Sequence, residues 1–186
     1  MSRNFPRHQK NSYCTGLIYL LFGLFLLIIY SGWRFHQARV LSFWSKELPQ
    51  PAINKTGEIP VFIKSFPLGV NIKIKESNIQ NGVWQIFPDA AGHLESSARI
   101  GEGGNIIIYG HNRNEVLGPI RWAKEGEKIE LVDATGREYY YKVVKVEIVD
   151  PSNLTYILPT NEETLTVYTC IGFMDSKRLI IVAKKV

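Results

Sequence analysis

Negative charge is almost missing from the first quarter of this 186-residue chain. Between Met1 and Pro49 only Glu47 is acidic, against Arg3, Arg7, Lys10, Arg34, Arg39 and Lys46. The whole chain holds 22 Lys and Arg and 17 Asp and Glu, a formal charge of +5. Past Pro49 the two signs balance at 16 each, so the excess lies entirely in the N-terminal segment. A neutral remainder argues against a broad basic face for nucleic acid, and no nucleic-acid partner is expected. Cysteine is scarce as well: Cys14 and Cys170 are too few and too far apart for a disulfide framework, and each is read as a free thiol. Low-complexity sequence is also lacking, since 45% hydrophobic and 21% charged residues describe an ordinary globular chain. The part beyond Pro49 is long enough for one domain with its own core.

Formal charge is absent from Asn11 to Trp33, a run of 23 residues whose centre, Leu17 to Tyr30, is almost entirely Leu, Ile, Phe and Tyr. About 20 helical residues rising 1.5 Å each cross a hydrocarbon layer of roughly 30 Å. Tyr13, Tyr30 and Trp33 stand at the ends of the run, where amphipathic rings favour the membrane interface. A basic start before an apolar core also fits a cleavable signal peptide. Here the core is long, and Ile28 to Trp33 puts bulky residues where a small-x-small cleavage site would stand. The expected organisation is a cytoplasmic tail (1–10), a transmembrane anchor (11–33), a stalk (34–56) and a folded domain (57–186). Within the stalk a helical stretch is expected over Arg39 to Trp44, broken at Pro49 and Pro51. More basic residues precede the span than follow it closely, which places the domain outside the cytoplasm.

A helical period is hard to find beyond the stalk, whereas β-branched and aromatic runs recur between turn signals. Strands are expected at Ile59 to Phe66, Leu68 to Lys75, Gly82 to Phe87, Asn105 to His111, Lys128 to Ala134, Arg137 to Val149, Thr164 to Cys170 and Lys177 to Lys185. Ala134-Thr135-Gly136 reads as a hairpin turn. Gly118 to Lys124 and Ala90 to Ser97 read as short helical turns. The expected fold is mostly β, an eight-stranded barrel that leaves no exposed edges, preceded by an N-terminal transmembrane helix.

One thiol in such a domain directs the search for chemistry. Strand alternation over Thr164 to Cys170 sets Leu165, Val167 and Thr169 on one face and Thr166, Tyr168 and Cys170 on the other. A lone cysteine is often simply buried. A nucleophilic one needs a base or cation beside it, and His111 stands at the end of a hydrophobic strand. Acyl transfer also needs a donor for a developing oxyanion, and Arg178 opens the strand after Cys170.

Three segments, Gly110-His111-Asn112, Thr166-Val167-Tyr168-Thr169-Cys170 and Arg178-Leu179-Ile180-Ile181-Val182, together resemble the sortases, membrane-anchored cysteine transpeptidases of the bacterial surface. Gly92-His93-Leu94, Ser97-Ala98 and Gly101-Glu102-Gly103-Gly104-Asn105 are similar to the run before the catalytic His in class D and E members. The resemblance implies Cys170 as nucleophile, His111 as general acid and base, and Arg178 holding the substrate and stabilising the oxyanion. It also implies Thr169 as a supporting residue and a backbone N–H near Ile171 as a second oxyanion donor. The implied substrates are surface proteins with a Leu-Pro-x-Thr-Gly-like sorting signal, and the implied acceptor is an amine on a cell-wall peptide or a pilin. No metal or organic cofactor is implied. A purely hydrolytic cysteine peptidase and a silent, tethered binding domain are the alternatives. His93, Lys177, Asp175, Tyr168 and Trp122 are expected to be structural or solvated.

Overall fold

The computed structural model describes residues 10–38, 41–43 and 55–186. The chain forms two compact units, Met1–Arg39 and Val40–Val186. In the first, α1 (Lys10–Ala38) is a single helix. Its stretch Thr15–Arg34, with a mean hydropathy of 2.0 and no buried residue, is long and apolar enough to cross a membrane. Residues 34–38, expected to open the stalk, continue this helix. Residues 1–9 of the expected tail, and 39–40 and 44–54 of the expected stalk, lie outside the described residues. Leu41–Phe43, expected to be helical, is not, and Leu41 has a φ of 55°.

The second unit is a barrel. Its strands are β1 (Pro60–Ser65), β2 (Val70–Ser77), β5 (Ala91–Leu94), β6 (Asn105–Tyr109), β7 (Lys128–Asp133), β8 (Glu138–Val149), β9 (Thr164–Ile171) and β10 (Lys177–Lys185). They close in the order β1-β2-β5-β6-β9-β10-β8-β7. Two pairings are parallel, β2 with β5 and β6 with β9. The others are antiparallel.

Eight strands and a closed barrel agree with the sequence, but one strand is not the one expected. Gly82 to Phe87 lies outside the barrel: only Val83–Trp84 (β4) is extended there, paired with Ile79–Gln80 (β3) in a separate hairpin. The place in the barrel goes to Ala91–Leu94, which was expected to be a helical turn. Its composition hides it. Ala, Gly and His have little intrinsic strand preference, and pairing on both sides decides the conformation. A side chain at Gly92 would meet Ser77 Oγ at 3.0 Å and the Tyr109 ring at 3.2 Å. The other expected helical turn is present as a 3₁₀ turn, Gly118–Trp122.

Alternation along the strands sorts two apolar clusters. Ile106, Ile108, Leu165, Val167, Leu179, Ile181 and Ala183 point into the barrel with Ile63, Leu131 and Val143. Burying such a side chain stabilises by roughly 1.5–3 kcal/mol, so this interior dominates the apolar stabilisation of the domain. The residues between them, Ile107, Tyr109, Tyr168, Cys170 and Ile180, point out of the barrel and form a second cluster with Trp84, Leu94, Val149 and Ile157. A barrel strand that is buried on both faces has something covering its outside.

The hairpin joining β7 and β8 is held by one carboxylate. Asp133 Oδ1 accepts from Thr135 Oγ1 at 2.7 Å, Thr135 N at 2.8 Å and Arg137 N at 3.0 Å. Its Oδ2 accepts from the Tyr139 hydroxyl at 3.0 Å. The Thr135 hydroxyl, with these other donors, outweighs desolvation and holds the Asp133 carboxyl down to about 2. A depressed carboxylate contributes its full stability above the unfolded value near 4 and loses it as pH falls towards 2. Asp133→Ala is therefore expected to lower the melting temperature by a few degrees at pH 7. In melts run from pH 7 to pH 2, this gap between wild type and variant should narrow below pH 4.

Candidate active site

The site is organised by β9. On one side β6 runs parallel to it, with Ile108 opposite Val167 and Tyr109 opposite Tyr168. Beyond the last paired residue, Gly110 N donates to Tyr168 O at 3.3 Å and Thr169 Oγ1 donates to Gly110 O at 2.7 Å. This tie brings the chain entering His111 alongside Thr169 and Cys170. On the other side β10 runs antiparallel, and Arg178 lies directly opposite Cys170. Leu179 faces the interior while Ile180 faces out, so parity sets Arg178 on the outer face with Cys170. Lys177 pairs with Ile171, and its ammonium makes an exposed ion pair with Asp150 at 2.7 Å.

Burial governs the protonation of both Cys170 and His111. Cys170 is 1% exposed, and desolvation pushes its thiol up to about 12, with the Arg178 charge pulling down against it and Asp175 adding to the rise. Desolvation also lowers the half-buried His111 imidazole, helped by Arg113 and opposed by Asp175. Near pH 7 Cys170 is therefore a neutral thiol and His111 a neutral imidazole. Asp175 acts on both groups, so it belongs to the site's electrostatics rather than to solvent alone.

Arg178 is 2% exposed and closely held. One terminal nitrogen donates to the carbonyls of Asp175 at 2.8 Å and Lys177 at 3.1 Å, which fixes the guanidinium against the β9–β10 connection. The other donates to Ser42 O at 2.8 Å, and Nε is buried without a partner. Gly172, with φ of 85°, turns the chain directly after β9, and Met174 and Asp175 follow with φ of 51° and 58°. A left-handed conformation in two non-glycine residues is uncommon, and here it aims the Asp175 carbonyl at Arg178.

The remaining expected residues separate cleanly. Thr169 is fully buried and ties β9 to Gly110, a structural contact on the histidine side. Ile171 ends β9 and packs against the barrel interior. His93 stands on β5 rather than in a loop, fully buried, with Nδ1 2.5 Å from Glu76 Oε1 and Nε2 3.0 Å from Ala98 O. Burial alone would raise the Glu76 carboxyl, but the His93 hydrogen bond and charge outweigh it and hold it below its ordinary range. Trp122 is exposed, beneath the Arg121 guanidinium at 5.5 Å.

Three features have no counterpart in the sequence reading. Asn105, at the start of β6, donates from Nδ2 to Tyr156 O and Leu158 O, both at 2.9 Å, and accepts from Thr166 Oγ1 at 2.8 Å. It thereby anchors the segment between β8 and β9 along the outer face, beside a cavity of about 420 Å³ that includes Ser97, Asn105, Ile107 and Ile157. The rings of Trp84, Tyr109 and Tyr168 form a shelf, with Tyr109 and Tyr168 stacked at 5.3 Å. Leu41-Ser42-Phe43 lies on that shelf. A strand-end Asn and alternate aromatics were visible signals for the first two.

A match to the Sortase domain family covers residues 63–186, two thirds of the chain and the whole of the site. The chain belongs to the sortase family. Sortases are cysteine transpeptidases, and this one carries the family's fold, a closed eight-stranded barrel. Among solved structures, a sortase D5 transpeptidase of Clostridium perfringens matches at 27% identity, covering 73% of this chain and 82% of that one, with a TM-score of 0.57. Sortase A of Listeria monocytogenes matches at 24% identity over 69% of this chain and 88% of that one, with a TM-score of 0.57. Sortase C-1 of Actinomyces oris matches at 20% identity over 68% and 74%, also with a TM-score of 0.57. No curated protein matches the chain.

The resting protonation state of this sortase can be read from its thiol. Iodoacetamide labelling of Cys170 in the full chain, located by peptide mapping, should still be accelerating with pH at 10. An ordinary thiol would level off above its value of about 8.5. A plateau near pH 8.5 would contradict the burial described.

Proposed function

We propose that this sortase cleaves a Leu-Pro-x-Thr-Gly-like sorting signal through a thioacyl-enzyme and transfers the acyl part to an amine. The acceptor would be a cell-wall peptide or a pilin Lys. The observation that carries the reading is the placement of Cys170 directly opposite Arg178, with the His111 strand tied to β9 through Thr169 and Gly110.

In this reading Cys170 Sγ attacks the Thr carbonyl, and a C–S bond forms as the Thr–Gly amide breaks. His111 takes the Cys170 thiol proton as the sulfur attacks and delivers it to the leaving Gly amine; it then accepts a proton from the incoming amine and returns it to the thiolate that this amine displaces. Arg178 steadies the substrate backbone and the oxyanion, with a backbone N–H near Ile171 as a second donor. Thr169 acts through Gly110 as a positioning residue. The helix over residues 11–33 serves as an uncleaved anchor with the tail 1–10 inside, and the segment 34–56 joins it to the catalytic domain 57–186 outside the cytoplasm. The similarity to the C. perfringens enzyme, together with the Gly92 to Asn105 segment, supports a class D or E affinity.

The full chain in detergent micelles, given a sorting-signal peptide and an amine, is expected to yield the ligated product. Cleavage without ligation would point to a peptidase, and neither product to a binding domain. Cys170→Ala and His111→Ala should abolish ligation. Arg178→Lys, which loses the planar fork, should lower kcat/KM by roughly 10²-fold, in the range of an oxyanion donor. Lys177→Ala should stay within about twofold, since exposed ion pairs contribute little.

A further inference from the structure

Strand direction gathers several separate turns at one end of the barrel. β6 and β9 run parallel, and β8 and β1 run the same way, each reached from β9 through an even number of antiparallel pairings. All four therefore finish at the rim where Cys170 stands, and the chain leaves them through residues 66–69, 110–127, 150 and 172–176. Among the described residues of the barrel unit, Val186 at the chain end aside, the five most exposed large apolar side chains are Phe66 at 100%, Phe173 at 86%, Trp122 at 68%, Met174 at 61% and Ile148 at 58%. Every one of them lies at this rim. Scattered apolar residues on a surface are ordinary, whereas a concentration at one end marks a docking surface.

The rim side chains are presented by rigid supports. Ile120 and Ala123 pack into the barrel interior, so the 3₁₀ turn between them plugs the mouth and leaves Trp122 outside. Leu68 is likewise packed inward, and Leu68 N and Gly69 N donate to Ser65 O and Phe66 O, both at 3.2 Å, which holds the turn that carries Phe66. The turn of Phe173 and Met174 is fixed by Asp175 N on Gly172 O at 3.2 Å and by Arg178 on Asp175 O at 2.8 Å. Ile148 pairs directly with the inward-facing Leu179, so a residue of interior parity is left uncovered at the mouth.

We propose that this rim inserts into the headgroup region of a lipid bilayer and sets the height of Cys170 above it. The proposal rests on the reading of the N-terminal helix as an uncleaved anchor. Prongs on separate turns suit a fluid layer that conforms to them, whereas a folded partner must supply a matching pocket for each. Trp and Phe are the side chains favoured at the interface, and the Arg121 guanidinium 5.5 Å from the Trp122 ring adds a cation that reaches headgroup oxygens. The chain also enters the barrel unit at this rim: Leu41 N lies 3.4 Å from Cys170 Sγ, and only Arg39 and Val40 stand between Leu41 and the end of α1 in the sequence. A tether attached here presents this end to the bilayer at an effective concentration on the order of mM. Arg113, Arg121, Lys124 and Lys177 on these turns are balanced by Glu115, Glu125, Glu127 and Asp175, so insertion is apolar and needs no anionic lipid.

The test uses the full chain with Cys14→Ser and Cys170→Ala in phosphatidylcholine nanodiscs, a single chain per disc. A nitrobenzoxadiazole label is attached at Phe66→Cys, at Trp122→Cys, or at Arg137→Cys in the β7–β8 hairpin at the opposite end. Dithionite, which stays in water, should reduce the labels at 66 and 122 about tenfold more slowly than the label at 137. With the label at 66, Trp122→Ser combined with Phe173→Ser should remove most of that protection, and because both residues are exposed the barrel should melt as before. Equal reduction at all three positions would overturn the proposal, as would protection that arises only when a disc carries two chains, which would make the partner a second copy. Alkaline carbonate extraction from phosphatidylcholine liposomes tests the anchor separately. A chain retained in carbonate whose three labels are reduced alike keeps the anchor and loses the docking. A chain released by carbonate whose rim labels are protected keeps the docking and loses the anchor.

Discussion

The site depends on the register of β9 between its two neighbours. A one-residue slip against β10 would place Lys177 opposite Cys170 and turn Arg178 into the barrel, since strand parity reverses every side chain. That slip is opposed along the whole strand. Leu165 and Val167 fill the interior with Leu179, Ile181 and Ala183, while Tyr168 and Cys170 pack outside. Each apolar residue is therefore also a register mark for the placement of Arg178 opposite Cys170. On the histidine side the parallel pairing ends at Tyr109, and the Thr169 hydroxyl extends the alignment two residues further, to where His111 leaves the sheet.

Burial serves two ends that pull in opposite directions. A covered Cys170 thiol is kept protonated and weakly reactive, which suits a resting enzyme. The same low-polarity surroundings strengthen the pull of the Arg178 charge on any anion formed there. Two carbonyls of the β9–β10 connection and the Ser42 carbonyl face the Arg178 guanidinium and fix its position.

Much of this was legible in the sequence, and for a physical reason. Asn105 to His111, Thr164 to Cys170 and Lys177 to Lys185 are β-branched or alternating runs bounded by turns, so their local preferences agree with their tertiary roles. Cys170, His111 and Arg178 each sit at a strand end, a position that pattern alone can locate. Ala91–Leu94 escaped because its conformation is imposed by β2 and β6, and its glycine is there for the approach of Ser77 and the Tyr109 ring. Gly82 to Phe87 was over-read because a short apolar run cannot reveal that only two of its residues pair. Leu41-Ser42-Phe43 was invisible for a different reason: its conformation is set by a groove more than a hundred residues away in the chain.

The parallel contact between Thr169 and Gly110 spans 59 residues, and Leu41 reaches Cys170 across 129. Closing loops of this length is entropically costly, so contacts of such high sequence separation form after local hairpins such as β7–β8. The segments that carry Cys170 and His111 are therefore aligned only when the intervening strands are in place. A partly folded chain exposes Cys170 with neither the His111 segment nor Arg178 aligned to it. Completion of the barrel and onset of chemistry are thus one event, and a sortase still folding has no transpeptidase to misdirect.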